Sequence, residues 1–390
     1  MVAERTEIAI VGGGIGGLAL ACALAGDGRE VTVLEASLEY EDRVRGESMM
    51  PWGVAEAREL GVLDPLLAAD ARISPTWVHY DELVPTEMSL ANPIPAFAMR
   101  ADVPGSVNLR HPEACGVLAG AALARGVRVV RGVSDVTVRG GARPGVSARH
   151  PGGGLDLDAD LVVGADGRSS TVRRQLGITL ERLEPTHMIA GVLVDGLDDV
   201  ELDHDFLATG DDLFMASFRQ HRGQLRVYLC PSVEERARFA GPQGLAEFRR
   251  SANFGCLPFG ERLSTANPIG PLATYPGDDT WTDAPFADGA VLIGDAAGHN
   301  SPIIGQGLSI AMRDARLVRD ALRAGPIAPG SFGAYASERS ERMRRLRAAA
   351  TFMAWTGGAT WPISVYLILL AVITFMATMA APEMAAKALT

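Results

Sequence analysis

A short, mostly apolar run from Glu7 to Val11 is closed by Gly12-Gly13-Gly14-Ile15-Gly16-Gly17. An Ala/Leu-rich stretch runs on to Ala25, a Gly26-Asp27-Gly28 turn follows, and a second apolar run, Val31 to Leu34, ends at Glu35. Short apolar runs bounded by glycine fit buried strands, and the longer Ala/Leu stretch fits a helix, so this segment predicts strand, turn, helix, turn, strand. Beyond Arg43-Val44-Arg45-Gly46-Glu47-Ser48 the pattern is helical to about residue 71. From Ile73 to Pro104, prolines and alternating apolar positions predict a small β region. Arg110 to Leu123 reads as a helix feeding a strand, Val127 to Val130, and Val133 to His150 alternates like a hairpin pair before the Pro151-Gly152-Gly153-Gly154 turn.

Two later apolar runs also end in polar glycine turns: Leu161 to Val163 before Gly164-Ala165-Asp166-Gly167, and Ala290 to Ile293 before Gly294-Asp295-Ala296-Ala297-Gly298. Between them, residues 186–284 are β-rich, with strands expected at Ile189–Val194, Leu213–Arg219 and Leu225–Cys230. An acidic series (Asp195, Asp198, Asp199, Glu201, Asp203, Asp205) reads as a solvated face. Glycine turns therefore fall early, midway and late, with β-rich segments between them. This predicts an α/β protein of two interleaved domains, one from residues 1–75, 105–185 and 285–347, the other from 76–104 and 186–284.

Composition narrows the function. The chain has 390 residues, 47% of them hydrophobic and 21% charged, enough for a large core. Its 36 basic and 47 acidic side chains leave a formal charge of −11, which repels a polyanion and argues against nucleic acid as a partner. Cys22, Cys115, Cys230 and Cys256 form no CxxC pair, so no metal site is expected, and four scattered thiols fit a reducing, cytoplasmic setting. The opening Met1 to Thr6 carries two charges and shows no signal-peptide pattern.

Gly12-x-Gly14-x-x-Gly17 follows a strand and opens a helix. The first glycine permits the tight turn, the second lets backbone approach a pyrophosphate, and the third lets helix and strand pack closely. Unsatisfied N–H groups at the helix start then face the phosphates. Glu35, 23 positions after Gly12, can accept hydrogen bonds from both ribose hydroxyls. This predicts a dinucleotide site and leaves NAD and FAD both open.

Two further segments carry a resemblance. Val163 through Arg173, with Gly164-Ala165-Asp166-Gly167-Arg168-Ser169-Ser170, is similar to the GADG segment of class A flavoprotein monooxygenases. Leu292 through Gly298, with Pro302 and Gly305-Gln306-Gly307, resembles the late GD segment of the same family, which includes p-hydroxybenzoate hydroxylase-like enzymes and squalene-type epoxidases. The three motifs stand in the family's order, over roughly residues 6 to 340. The resemblance implies a Rossmann-like FAD-binding domain interleaved with a β-sheet substrate domain. It implies FAD as cofactor, NADH or NADPH as co-substrate, and O2 as the source of one oxygen atom delivered through a flavin hydroperoxide. The acceptor expected is an apolar aromatic, isoprenoid or polyketide metabolite, hydroxylated or epoxidised. The alternative is a geranylgeranyl-reductase-like flavoenzyme without oxygen insertion.

The same resemblance assigns residues. Asp166 would brace the ribose and pyrophosphate, Asp295 the sugar chain, and Pro302, Gly305 and Gly307 would lie beside the isoalloxazine, where backbone can approach a flat ring. For Asp166 and Asp295 a helix-cap or turn role is the alternative. Arg45 sits in a segment like the family's FAD-covering loop, and Arg110 where the family keeps an arginine against the phosphates. Guanidinium contacts phosphate with two parallel bonds, and Arg43 is an alternative to Arg45. The flavin carries the difficult chemistry, so no nucleophile or metal constellation is expected. His79, His187 and His299 are candidate bases by location only, and Trp52, Trp77 and Pro302 are expected around the pocket. The sole lysine, Lys387, argues against a lysine-dependent halogenase.

The end of the chain is different again. Arg339, Arg342, Arg344, Arg345 and Arg347 form a basic cluster, and no charged side chain follows between residues 348 and 382. Ile363 to Ala381 is 19 apolar or uncharged residues, near the length that crosses a bilayer, broken upstream by Gly357-Gly358 and Pro362. Residues 348–390 are thus expected to be helical, either anchoring the protein to a membrane from the cytoplasmic side or packing internally.

Overall fold

The computed structural model describes residues 3–200, 203–221 and 223–356. The segment 357–390, with the 363–381 stretch and Lys387, lies outside the described residues. Among those described, no helix is long and apolar enough to cross a membrane.

Buried branched residues build a six-stranded sheet. Ile8–Val11 and Val31–Glu35 are fully buried, and strand order runs Phe286–Ala287, Ala290–Leu292, Leu161–Gly164, Ile8–Val11, Val31–Glu35, Arg128–Arg131. All pairings are parallel except at the Phe286–Ala287 edge. Runs buried on both faces are what a covered parallel sheet requires. One face packs beneath the helices Ile15–Gly26, His111–Ala124 and Gly307–Ala324 through residues such as Leu18, Leu118 and Val318. The other packs on a meander, Ser134–Arg139, Gly145–His150 and Gly153–Asp158, through Val146, Leu155 and Leu157.

A second sheet stands apart. Met188–Asp195, Leu225–Cys230, Phe214–Arg219, Asp205–Thr209 and Thr76–Asp81 are its central strands, in that order. Thr76–Asp81 joins Asp205–Thr209 in parallel across 124 residues of chain or more, with Trp77 opposite Asp205. The region expected to be all β between Ile73 and Pro104 also holds a short helix, Thr86–Ala91.

Asp205 corrects the expectation of a solvated acidic face. It is fully buried, accepts both oxygens' bonds from Asn108 Nδ2 (2.9 Å each), and accepts from the Arg219 amide at 3.0 Å. Burial pushes its carboxyl up to about 6. The terminal basic cluster is corrected in part as well. Within the helix Gly333–Trp355, Arg339 is buried and Arg342 nearly so, and both bind the fully buried Asp314 at 2.9 and 2.7 Å. Arg344 and Arg345 remain outside, paired with Glu341, and Arg347 lies 4.0 Å over the Trp281 ring. All four cysteines are buried and unpaired with one another.

Candidate functional site

One cleft of about 730 Å³ runs from the first glycine turn to the second sheet. At its polar end, Gly12 takes φ +111°, and a Cβ there would stand 2.3 Å from the Ala165 carbonyl oxygen. A Cβ on Gly17 would stand 2.1 Å from the Gly12 carbonyl oxygen, whereas one on Gly14 meets nothing within 4 Å. The first and third glycines are thus filled by the protein's own backbone, and the second faces the cleft. Gly13 N–H donates to Glu35 Oε2 at 2.7 Å and Ser37 N–H to Oε1 at 2.8 Å, which fixes the carboxylate at the cleft wall. Each oxygen keeps a lone pair for a further donor.

The other sequence-picked residues separate into groups. Arg45, Asp166, Asp295, Pro302, Gly305 and Gly307 all line this cleft, as do Gly12, Gly14, Gly17 and Glu35. Asp166 meanwhile accepts from the Thr171 and Val172 amides at 2.6 and 3.1 Å, so it also caps the turn into Thr171–Gln175, the alternative role considered for it. Gly305 adopts φ +64° at the turn before the helix Gly307–Ala324, whose N-terminus opens on the cleft. Arg110 does not line the cleft. Glu113, one helical turn on, draws its guanidinium into an ion pair, and His111 stands at the cleft wall instead.

Arg45 is half-buried, and burial together with Arg168 makes its positive charge less comfortable, with Asp295 as the attractive counter-charge. An anion placed beside such a group is favoured. The Gly294–Gly298 turn beside it is clamped from behind. Arg339 donates to the carbonyls of Gly294, Ala297 and Gly298 at 2.7 to 3.1 Å, and Asp314 accepts from the Gly294 amide at 2.9 Å.

At the far end the lining turns apolar: Met50, Trp77, Leu207, Ala216, Phe218 and Ile304. Trp77 and Phe218 meet edge-on, centroids 5.6 Å apart. Trp77 and Pro302 thus border the pocket as expected, while Trp52 stands behind Gln306, donating to its Oε1 at 2.7 Å. His79, His187 and His299 do not line the cleft; they bind Thr209, Ser301 and Asp278 respectively.

Sequence reasoning missed one cluster. Tyr228 O–H donates to the buried Glu47, whose other oxygen lies 3.1 Å from Arg226, and Arg226 also binds Asp42 at 2.6 Å. Burial pushes the Glu47 carboxyl up, against the lowering pull of Arg226. Glu47 and Tyr228 lie 181 positions apart, so no local pattern joins them. The only signal was a glutamate within a run otherwise read as cofactor loop. Val44, two residues before Gly46, is held at φ +53°, an unusual conformation for a β-branched residue. Its carbonyl accepts from Tyr275 O–H at 3.3 Å, and Val44 packs within the same buried cluster as Tyr228.

Comparison with known proteins adds the following. The family described as FAD binding domain matches residues 5–350. Squalene monooxygenase SE1 of Panax ginseng is 27% identical over 326 residues, covering 83% of this chain and 59% of that protein. The 6-methylpretetramide 4-monooxygenase of Streptomyces rimosus is 27% identical over 336 residues, covering 80% of this chain and 73% of that one. This chain spans less than two thirds of the length of the squalene monooxygenases it matches. Among solved structures, PqsL from Pseudomonas aeruginosa superposes with a TM-score of 0.76 at 21% identity, covering 91% of this chain and 97% of that one.

Proposed function

The chain belongs to the FAD-binding-domain family of class A flavoprotein monooxygenases, and from that premise we propose that it is an FAD-dependent monooxygenase acting on a lipophilic metabolite. The supporting observation is that the glycine-turn groove and the apolar chamber form one continuous cleft, meeting at Pro302–Gly307. The residues present fit the cofactor. Gly14 leaves backbone bare toward the groove, two helix N-termini open on it, and Arg45 offers a half-buried cation at its wall.

In this reading the pyrophosphate lies over Gly12–Gly17 with Arg45 closing on it. Glu35 would hold the adenosine ribose, Asp166 and Asp295 the sugar chain, and the Pro302–Gly307 backbone the ring. Bound FAD, reduced by NADH or NADPH, supplies the activation of O2. The protein's own part is placement and dryness. Trp77, Ala216 and Phe218 line the chamber with apolar surface that would exclude water and hold a lipophilic acceptor. Tyr228 and Glu47 form its polar wall, where a proton can be held between phenol and carboxylate.

The test is a metabolite screen for accelerated NAD(P)H oxidation, followed by mass analysis under 18O2. A product heavier by one labelled oxygen is expected. An unlabelled, reduced product would assign the chain to the reductase alternative.

A further inference from the structure

The run from Asp42 to Glu47 makes a tight bend with Arg45 in its middle. Val44 at φ +53° and Gly46 at φ +75° stand on either side of Arg45, both in the left-handed region. Glycine takes that conformation freely, whereas a β-branched valine keeps it only where its surroundings hold it. The two acidic ends of the run converge on one nitrogen: Arg226 Nη2 lies 2.6 Å from Asp42 Oδ2 and 3.1 Å from Glu47 Oε1. Asp42 Oδ1 also accepts from the Val44 amide at 2.8 Å, the Val44 carbonyl accepts from Tyr275 O–H at 3.3 Å, and Glu47 Oε2 accepts from Tyr228. Arg226 itself is fully buried on the strand Leu225–Cys230, between Met188–Asp195 and Phe214–Arg219 in the second sheet.

We propose that Arg226 is a positioning residue for the cofactor: by drawing both ends of the run onto one buried nitrogen, it sets Arg45 against the groove where the pyrophosphate binds. The proposal rests on the reading of the cleft as the FAD site. Arg45 lines the cleft and Arg226 does not, so an effect of Arg226 on the cofactor passes through the groups it grips. Two features favour this role over plain packing. First, a buried guanidinium paired with carboxylates gains little stability over apolar residues of the same size, so its presence points to a geometry being held. Second, both carboxylates belong to the run itself, so the pairing closes the bend around the strained Val44 and fixes it to the second sheet. Tyr228 is the next residue on the same face of that strand and lines the cleft. One strand therefore registers Arg45 against the chamber.

The experiment titrates FAD into the full-length apoprotein and follows flavin fluorescence. Arg45→Met and Arg226→Met should each raise the Kd for FAD by about tenfold or more, the loss of one charge-assisted contact. Arg45→Met/Arg226→Met should bind no more weakly than Arg45→Met alone, because the second change acts through the first side chain. Arg226→Lys should recover most of the affinity, since both carboxylates meet at a single nitrogen that an ammonium can replace. Arg226→Met leaves the buried Glu47 without its cation, so Arg226→Met/Glu47→Gln is measured beside it. The thermal midpoint of that apoprotein should return toward the wild-type value while the Kd stays raised. Wild-type affinity in either Arg226→Met variant overturns the proposal. So does a penalty that multiplies with that of Arg45→Met, which would make Arg226 a packing residue only. A wild-type apoprotein that takes up no FAD overturns the cofactor reading together with this one, so the two failures are distinguishable.

Discussion

Gly14 and Gly17 make a paired test of the glycine turn, because the same added methyl group meets different surroundings at each. At Gly17 it would strike the Gly12 carbonyl, so Gly17→Ala should lower stability by about 1–3 kcal/mol even without flavin. At Gly14 it meets only the cleft, so Gly14→Ala should keep the apoprotein's thermal midpoint while the visible absorbance of bound flavin is lost. Equal flavin content in Gly14→Ala and wild type would remove the phosphate path from this turn. Histidines give a second residue-scale prediction. Burial lowers His187 to about 4, and burial with Arg43 and Arg45 lowers His111 to about 4. For a base depressed in the folded state, the stabilising contribution is present above the unfolded value near 6.5 and is lost as pH falls toward 4. Asp205 acts oppositely, since its raised carboxyl contributes below about 4 and that contribution is lost as pH rises to about 6. The difference between wild type and His187→Asn isolates the first effect. Denaturant midpoints should converge as pH drops from about 7 to about 4. Because His187 Nε2 sits 3.0 Å from Ser301 Oγ, flavin release from the wild type should be faster near its pKa of about 4 than at neutral pH.

At the level of elements, the terminal helix matters through what it grips. Arg339 holds three carbonyls of the Gly294–Gly298 turn and the buried Asp314 at once. Arg339→Met leaves Asp314 with Arg342 as its remaining cation and frees the turn carbonyls, and a cost of about 1–3 kcal/mol is expected from the buried acceptors left unmet. Arg339→Lys should recover little, because an ammonium cannot span that set. Urea unfolding of the two variants checks both statements. The same helix shows where reading a sequence succeeds and where it stops. Gly12–Gly17 was legible because its constraints are local: a positive φ, a close approach and a helix start all fall within six residues. In sequence Arg339 stands only as one of a basic cluster, because its acidic partner lies on a different helix, 25 positions earlier. Asp205 was read as solvated because Asn108, which satisfies it, lies 97 positions away. Arg110 is drawn off by Glu113, an i,i+3 partner within one helical turn. What escapes a linear reading is the identity of partners brought together by tertiary packing.

For the molecule as a whole, the two sheets meet along a single cleft, and a change in one end should be separable from the other. Ala216→Phe places a ring in the chamber beside Phe218 and leaves the glycine turn untouched. Flavin content should match the wild type, while the stimulation of NAD(P)H oxidation by substrate should fall by at least about tenfold, as overpacking of a fitted site implies. The cysteines have a practical bearing at this scale. All four are buried, and desolvation raises each thiol above its ordinary range, so little thiolate forms at neutral pH. A hydrophilic maleimide should therefore leave the native fold unlabelled, and a cysteine installed at exposed position 83 or 97 would carry the only dye, giving a single reporter outside the core.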